Sequence, residues 1–231
     1  MAHPRPLVIL GVGGNSIDVL DAVNEINAAG EAPRYACLAF LDDNEALWGR
    51  QVHGVSVPGP LEKVSDYPEA GFVLAIGSPS NFWRRETVAA RLGLAPERFE
   101  TIVHPTASVS RMSTLEPGTI VLQNATIASN VHVGRHVMIL PNTVISHDGV
   151  VGDYTCLAGG VCVSGRARIG RSCYLGTNCS IRDDVAIGDY CLIGMGSVIL
   201  HDVPANSVYA GSPGRYLRPT REDAARGSEG P

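Results

Sequence analysis

His147 and Asp148 set an imidazole beside a carboxylate, the pairing that general-base proton transfer uses when a carboxylate orients or tunes the ring. An outward histidine on a polar corner is by default merely solvated, so the spacing around it carries the argument. Eighteen residues after His147 comes Gly165, and eighteen after Asp148 comes Arg166. If eighteen residues make one coil, a residue without a side chain lies directly above the imidazole. That leaves a gap into which a carbonyl can enter, accepting a hydrogen bond from the Gly165 amide while His147 takes the proton of the attacking group. A second set of residues lies far upstream. Gly11, Gly13, Gly14 and Asn15 follow the apolar run Leu7 to Leu10, Asp42 and Asp43 end a run from Tyr35 to Leu41, and Gly77 and Ser78 end the run Phe72 to Ile76. Backbone amides at such a loop can hold a phosphate, and a carboxylate can take a ribose or base hydrogen bond. The bland alternative is tight turns at strand ends. The dinucleotide fingerprint is incomplete, because its last glycine position holds Ser16.

The elements that position these residues are readable from periodicity. From Val103 to Ile199 an aliphatic residue recurs at every sixth position without a break, and a small or slim residue follows four places after each. Val133 and Gly134, Val151 and Gly152, Ile169 and Gly170, and Ile187 and Gly188 add a period of eighteen, so three hexads close one coil. A six-residue unit cannot bury its aliphatic side chain alone, so the coils must stack. At roughly 4.8 Å per rung the prism stands about 25 Å tall. The recurring glycines suit corners that need a positive φ. An antiparallel sandwich would instead alternate with period two. Upstream, apolar runs alternate with helical spacing, as in Ile17, Leu20, Val23 and Ile26, with Gly30 and Gly93 as stops, which predicts a small parallel α/β domain.

The expected division is an α/β domain over 1–101, the β-helix over 102–202, and a C-terminal loop with a polar tail over 203–231, disordered from Thr220. A net charge of −5 gives no basic surface for nucleic acid. No apolar run approaches a membrane span and the stretch Met1 to Pro6 has no signal-peptide character, so a cytoplasmic chain is expected. Cys173, Cys179 and Cys191 fall on the small interior position, where a thiol acts as compact filler in a reducing compartment. None of His104, His132, His136 and His201 lies eighteen residues from His147 or from another of them, and the close pair His132 and His136 sits on diverging corners, so no metal is expected.

The hexads, with the closing run Ile193 to Ile199 and the segments Asp202 to Val208 and Ala210 to Arg215, resemble the left-handed parallel β-helix of the hexapeptide-repeat acyltransferases. Together with the Gly13 and Gly14 loop, Phe40 to Asp43, His104 to Ser108 and Ser146 to Asp148, the whole chain is similar to bacterial nucleotide-sugar N-acetyltransferases and the related sialic acid O-acetyltransferases. The resemblance implies acetyl-CoA as cosubstrate, His147 as general base, Asp148 as its tuning acid, and Gly165 at the thioester. It also implies cosubstrate contacts at Gly165, Met195, Gly196 and Arg215, and a homotrimer with active sites between subunits. The acceptor it implies is a nucleotide-linked 4-amino-4,6-dideoxysugar, held at Gly13, Gly14, Asn15, Asp42, Asp43, Gly77 and Ser78. Three positions depart from the pattern. The first loop has Gly14, Asn15, Ser16 and Ile17 where Gly-His-Gly-Lys is common, Cys156 stands where a second histidine is frequent, and Leu140 and Pro141 replace Asn-Thr. The missing lysine favours a hydroxyl acceptor, and the acidic pair favours the nucleotide-linked amine. A noncatalytic trimeric scaffold is the third reading.

Overall fold

The structure is a computed structural model that describes residues 3–220; the tail beyond 220, expected to be disordered, lies outside the described residues. The chain opens with β1 (Arg5–Leu10), α1 (Gly14–Ala29), β2 (Tyr35–Leu41), β3 (Gln51–Val52), β4 (Val55–Gly59) and β5 (Gly71–Leu74). They form one sheet in the order β3, β4, β2, β1, β5, parallel except for β3. β1 is paired on one side with β2 and on the other with β5, so the strand order reverses at the carboxyl end of β1. In such sheets that switch point opens a crevice. The four-residue run Leu7 to Leu10 is fully buried, as a central parallel strand covered on both faces requires. Helix α1 presents Val19, Leu20 and Val23 to the interior and stops at Gly30. Helix α2 (Arg85–Leu92) is preceded by a 3-10 turn at Phe82–Arg84 and ends on Gly93 in the left-handed conformation, φ 61°.

From Ile102 to Ile199 the chain is a left-handed parallel β-helix of two-residue strands. Each strand pairs with the one eighteen residues on, as Val144 with Cys162 and Ile145 with Val163. Three faces result. Face I carries Ile120–Val121, Met138–Ile139, Cys156–Leu157 and Tyr174–Leu175. Face II carries Thr126–Ile127, Val144–Ile145 and Cys162–Val163, and face III carries His132–Val133, Val150–Val151 and Arg168–Ile169. The interior column runs unbroken through Val121, Ile139, Leu157, Leu175 and Ile193, with Cys173, Cys179 and Cys191 filling the slim positions. Each buried aliphatic contributes about 1.5–3 kcal/mol. Face I is apolar outside as well. Ile102, Ile120, Leu122, Met138 and Cys156 pack against Val19, Leu20 and Val23 of α1, and the α/β layer therefore covers this face.

The expectation for the recurring glycines is corrected. The positive φ values fall three residues after each aliphatic, at Asn124, Asn130, Asn142, Asp148, Arg166 and Asp184 among others, and not at Gly134, Gly152, Gly170 or Gly188. Those glycines are required by close approach of the next coil. A Cβ at Gly152 would stand 2.6 Å from the Arg171 nitrogen and 2.7 Å from the Gly170 carbonyl carbon. Asparagine and aspartate, whose short polar side chains tolerate that conformation, take many of the left-handed corners, and His136, Tyr154, Arg166, Ser172 and Tyr190 take others.

Candidate functional site

The first candidate region is the crevice at the end of β1. Gly11, Val12, Gly13, Gly14, Asn15 and Asp42, with Gly77, Ser78 and Asn81 from the opposite wall, surround a cleft of about 440 Å³ that Tyr174 of face I closes from below. Gly11 must be glycine, since its φ is 101° and a Cβ would meet Ile76 at 2.7 Å. Gly13 and Gly14 face open space, with nothing within 4 Å of an added Cβ. Their backbone is thus accessible at the start of α1, where first-turn amides lack helical partners. The Asn15 amide donates to the Gly77 carbonyl at 2.7 Å and ties the two walls together.

The two acidic residues separate. Asp42 stays at the cleft, but its carboxylate accepts from the Val12 amide at 2.7 Å and from the Asn44 amide at 2.8 Å, which clamps the glycine loop. Asp43 turns away, accepting from the Leu61 amide at 3.0 Å and pairing with Arg91 at 2.6 Å. Partial burial pushes its carboxyl upward, yet the Arg91 bond and the Leu61 amide hold it below the ordinary aspartate value. Asp43 is therefore absent from the lining, contrary to expectation. Tyr174, Asn81 and Val12 line the cleft without having been expected there. Tyr174 had a signal: it is the one hydroxyl-bearing side chain in the outward column Ile120, Met138, Cys156, Tyr174.

The second region is the edge between faces II and III. His147 and Asp148 occupy a corner, both about half exposed, and the His147 Nδ1 lies 2.8 Å from Asp148 Oδ2. The other carboxylate oxygen, Oδ1, accepts from the Asn130 side-chain amide one coil below at 3.2 Å. The His147 bond first, and then that of Asn130, hold the Asp148 carboxyl below its ordinary value. In the neutral ring, a carboxylate at Asp148 favours the tautomer with the proton on Nδ1 and the lone pair on Nε2. The expected gap above His147 is not vacant. The imidazole leans across Gly165, where a Cβ would stand 2.8 Å from both Cε1 and Nε2, and Gly165 is buried beneath it. The glycine is what allows the ring to take this pose. The neighbouring ladder bonds run from the amides of Ser164 to Ile181 and of Arg166 to His147, so the Gly165 amide is passed over by the ladder. Arg166, one coil above Asp148, turns upward and pairs with Asp184 at 2.6 Å.

The remaining expected contacts fall in two other places. Met195, with its side chain largely exposed, and Gly196, at φ 65°, form a shallow apolar hollow with Thr177 and Asn178 on the edge between faces I and II. Arg215 lines a separate cleft of about 420 Å³ with Leu200, His201, Tyr209 and Tyr216. Among the described residues no three histidine, cysteine or acidic side chains converge as a metal site requires. His132 is exposed on face III, while His136 is buried at the next corner. No described helix is long and apolar enough to cross a membrane.

Residues 166–201 match the family described as bacterial transferase hexapeptide (six repeats). Among curated proteins the chain is 29% identical over 124 residues to the UDP-N-acetylbacillosamine N-acetyltransferase of Bacillus subtilis, an overlap of 51% of each chain. It is 29% identical over 153 residues to the GDP-perosamine N-acetyltransferase of Escherichia coli O157:H7, 66% of each. The match thus spans about half of the first relative and just under two thirds of the second. Among solved structures, the acetyltransferase domain of PglB from Neisseria gonorrhoeae in complex with acetyl coenzyme A superposes with a TM-score of 0.81 at 22% identity, covering 93% of this chain and all of that one.

Proposed function

We propose that this chain, which carries the hexapeptide repeat of bacterial transferases, is an acetyl-CoA-dependent N-acetyltransferase acting on the amino group of a nucleotide-linked 4-amino-4,6-dideoxysugar. The observation that carries the reading is the His147 and Asp148 pair lying across Gly165, with Nδ1 toward the carboxylate and Nε2 over a glycine whose amide the ladder does not use. Both sugar N-acetyltransferase relatives and the acetyl-CoA complex of the PglB domain support the chemistry.

Acetyl-CoA supplies an acyl carbon activated by its thioester. The acceptor amine forms the new C–N bond to that carbon, His147 Nε2 takes the amine proton, and the C–S bond breaks with the sulfur leaving as the thiol once it is reprotonated. In this reading the thioester enters as the ring swings off Gly165, and the Gly165 amide then donates to the carbonyl oxygen as charge develops there. Asp148 keeps the ring in the required tautomer and steadies the imidazolium that forms. The glycine-loop cleft binds the nucleotide, with the start of α1 toward the diphosphate.

The α/β layer covers face I, whereas His147 stands on the edge between faces II and III, the opposite side of a three-sided prism. A cleft and a base so far apart in one chain support an active site completed by a second copy, as in a homotrimer. Met195 and Gly196 then guide the pantetheine arm, and Arg215 meets the nucleotide end of the cosubstrate.

The test is release of CoA from acetyl-CoA against UDP-, GDP- and dTDP-linked 4-amino sugars and against free sialic acid. Turnover with one nucleotide amino sugar, falling roughly 10²–10⁴-fold in His147→Ala while the assembly persists, is the expected result. Turnover confined to a hydroxyl acceptor would replace this reading with O-acetylation.

A further inference from the structure

Arg85 is fully buried, and it is the largest side chain so enclosed. A guanidinium remains charged under all ordinary conditions, and burying one without a carboxylate is costly unless every donor is used. Among the described residues no acidic group pairs with it. Its donors go instead to three main-chain carbonyls: Nη1 to Ile76, Nη2 to His136, and Nε to Tyr154 at 3.1 Å. Ile76 lies two residues beyond β5, immediately before Gly77 and Ser78 of the cleft. His136 and Tyr154 are left-handed corners on the edge between faces III and I, eighteen residues and therefore one coil apart.

The contact is close on the cleft side as well. A Cβ at Gly77 would stand 3.0 Å from the Cys156 sulfur and 3.1 Å from Arg85 Nη1, so this wall is pressed between the guanidinium and face I. The Gly77 carbonyl in turn receives the Asn15 amide, which carries the glycine loop. The next residue of α2, Glu86, bonds Arg171 and, at 3.0 Å, Tyr190 on the same edge. A planar guanidinium spreads its donors in fixed directions toward carbonyls of separate segments and of two successive coils, whereas a lysine ammonium is a single point without that spread.

We infer that Arg85 is a positioning residue for the acceptor: it fixes the Ile76 to Ser78 wall of the cleft to two coils of the β-helix, so that the rigid solenoid sets the width of the nucleotide site. This rests on the nucleotide reading of that cleft. Neither the acetyl-CoA contacts nor His147 touch this edge, so the effect is confined to acceptor binding.

The experiment compares full-length wild type with Arg85→Lys and with Gly77→Ala, which crowds the same wall from the other side and leaves the guanidinium in place. Each variant is expected to raise KM for the nucleotide sugar about tenfold, with KM for acetyl-CoA and kcat within about twofold. Hydrogen exchange of the amides from 75 to 82 should quicken in Arg85→Lys while the interior of the β-helix stays protected. Equal changes in both KM values, or unchanged exchange in that segment, would overturn the proposal in favour of a general stabilising role. If wild type binds none of UDP, GDP or dTDP by calorimetry, the nucleotide reading falls and the acceptor role with it. The exchange result then still decides whether Arg85 anchors the wall.

Discussion

At the scale of single residues, the proposed chemistry rests on the pose of one imidazole. Asp148→Asn keeps the shape but no longer commands the Nδ1 proton, and kcat is expected to fall on the order of 10–100-fold with little change in either KM. Gly165→Ala places a methyl where Cε1 and Nε2 now lie, 2.8 Å away. It must rotate the ring, and a displacement near 1 Å can cost on the order of 10²-fold in kcat; circular dichroism and melting should be nearly unchanged. Both are read by steady-state kinetics on the responsive acceptor. The stacking of Gly165 above His147 was legible because the eighteen-residue period tells which residues lie one coil apart. That period says nothing about where an exposed ring leans, so the expected gap proved to be filled by the imidazole itself. Asp43 was misplaced for a related reason. Two adjacent carboxylates at a strand end look alike in sequence, and the choice between them was made by Arg91, which is 48 residues away along the chain.

At the scale of elements, the hexads were read directly because their signal is redundant: each strand and each corner repeats the same demand. What the corners demand was misread. The glycines recurring on face III sit under the backbone of the next coil, and the positive φ falls two places further on, at His136, Tyr154, Ser172 and Tyr190. Two substitutions separate these causes. Gly152→Ala should destabilise by about 1–3 kcal/mol, since backbone and not a yielding side chain blocks the methyl. Asn142→Gly, at φ 62°, should stay within about 1 kcal/mol of neutral, relief of left-handed strain offsetting the added freedom of the unfolded chain. Denaturant midpoints at constant m-value measure both. The α/β layer was legible as alternating strands and helices, with its cleft at the strand ends. Its attachment to face I was not, because the apolar outward column there reads in sequence only as a few more hydrophobic residues.

At the scale of the molecule, the reading requires more than one copy. Light scattering should return three times the chain mass of 24.4 kDa, and dissociation should abolish turnover while leaving nucleotide binding to single chains. The junction of the two layers also carries a pH dependence. Burial, helped by the nearby charges of Arg85 and Arg135 and opposed by Asp153, lowers the His136 pKa to about 4 from an ordinary 6.5. The folded chain then binds fewer protons than the unfolded one between those values, so stability is complete above pH 6.5 and declines on acidification. The loss is about 2 kcal/mol by pH 5. His136→Phe, which suits the stack between Phe99 and Tyr154, should flatten the change in melting temperature between pH 7 and pH 5. The coil itself has a last consequence. Along this chain six residues amount to a rotation of one third of a turn, and eighteen to a rise without rotation. An insertion of eighteen residues just before the corner bearing His147 would lift the base by one storey and keep its bearing. An insertion of six would swing it toward another edge of the prism. Natural length variation in this segment is therefore expected in whole coils, because only those leave the compass direction of the base unchanged.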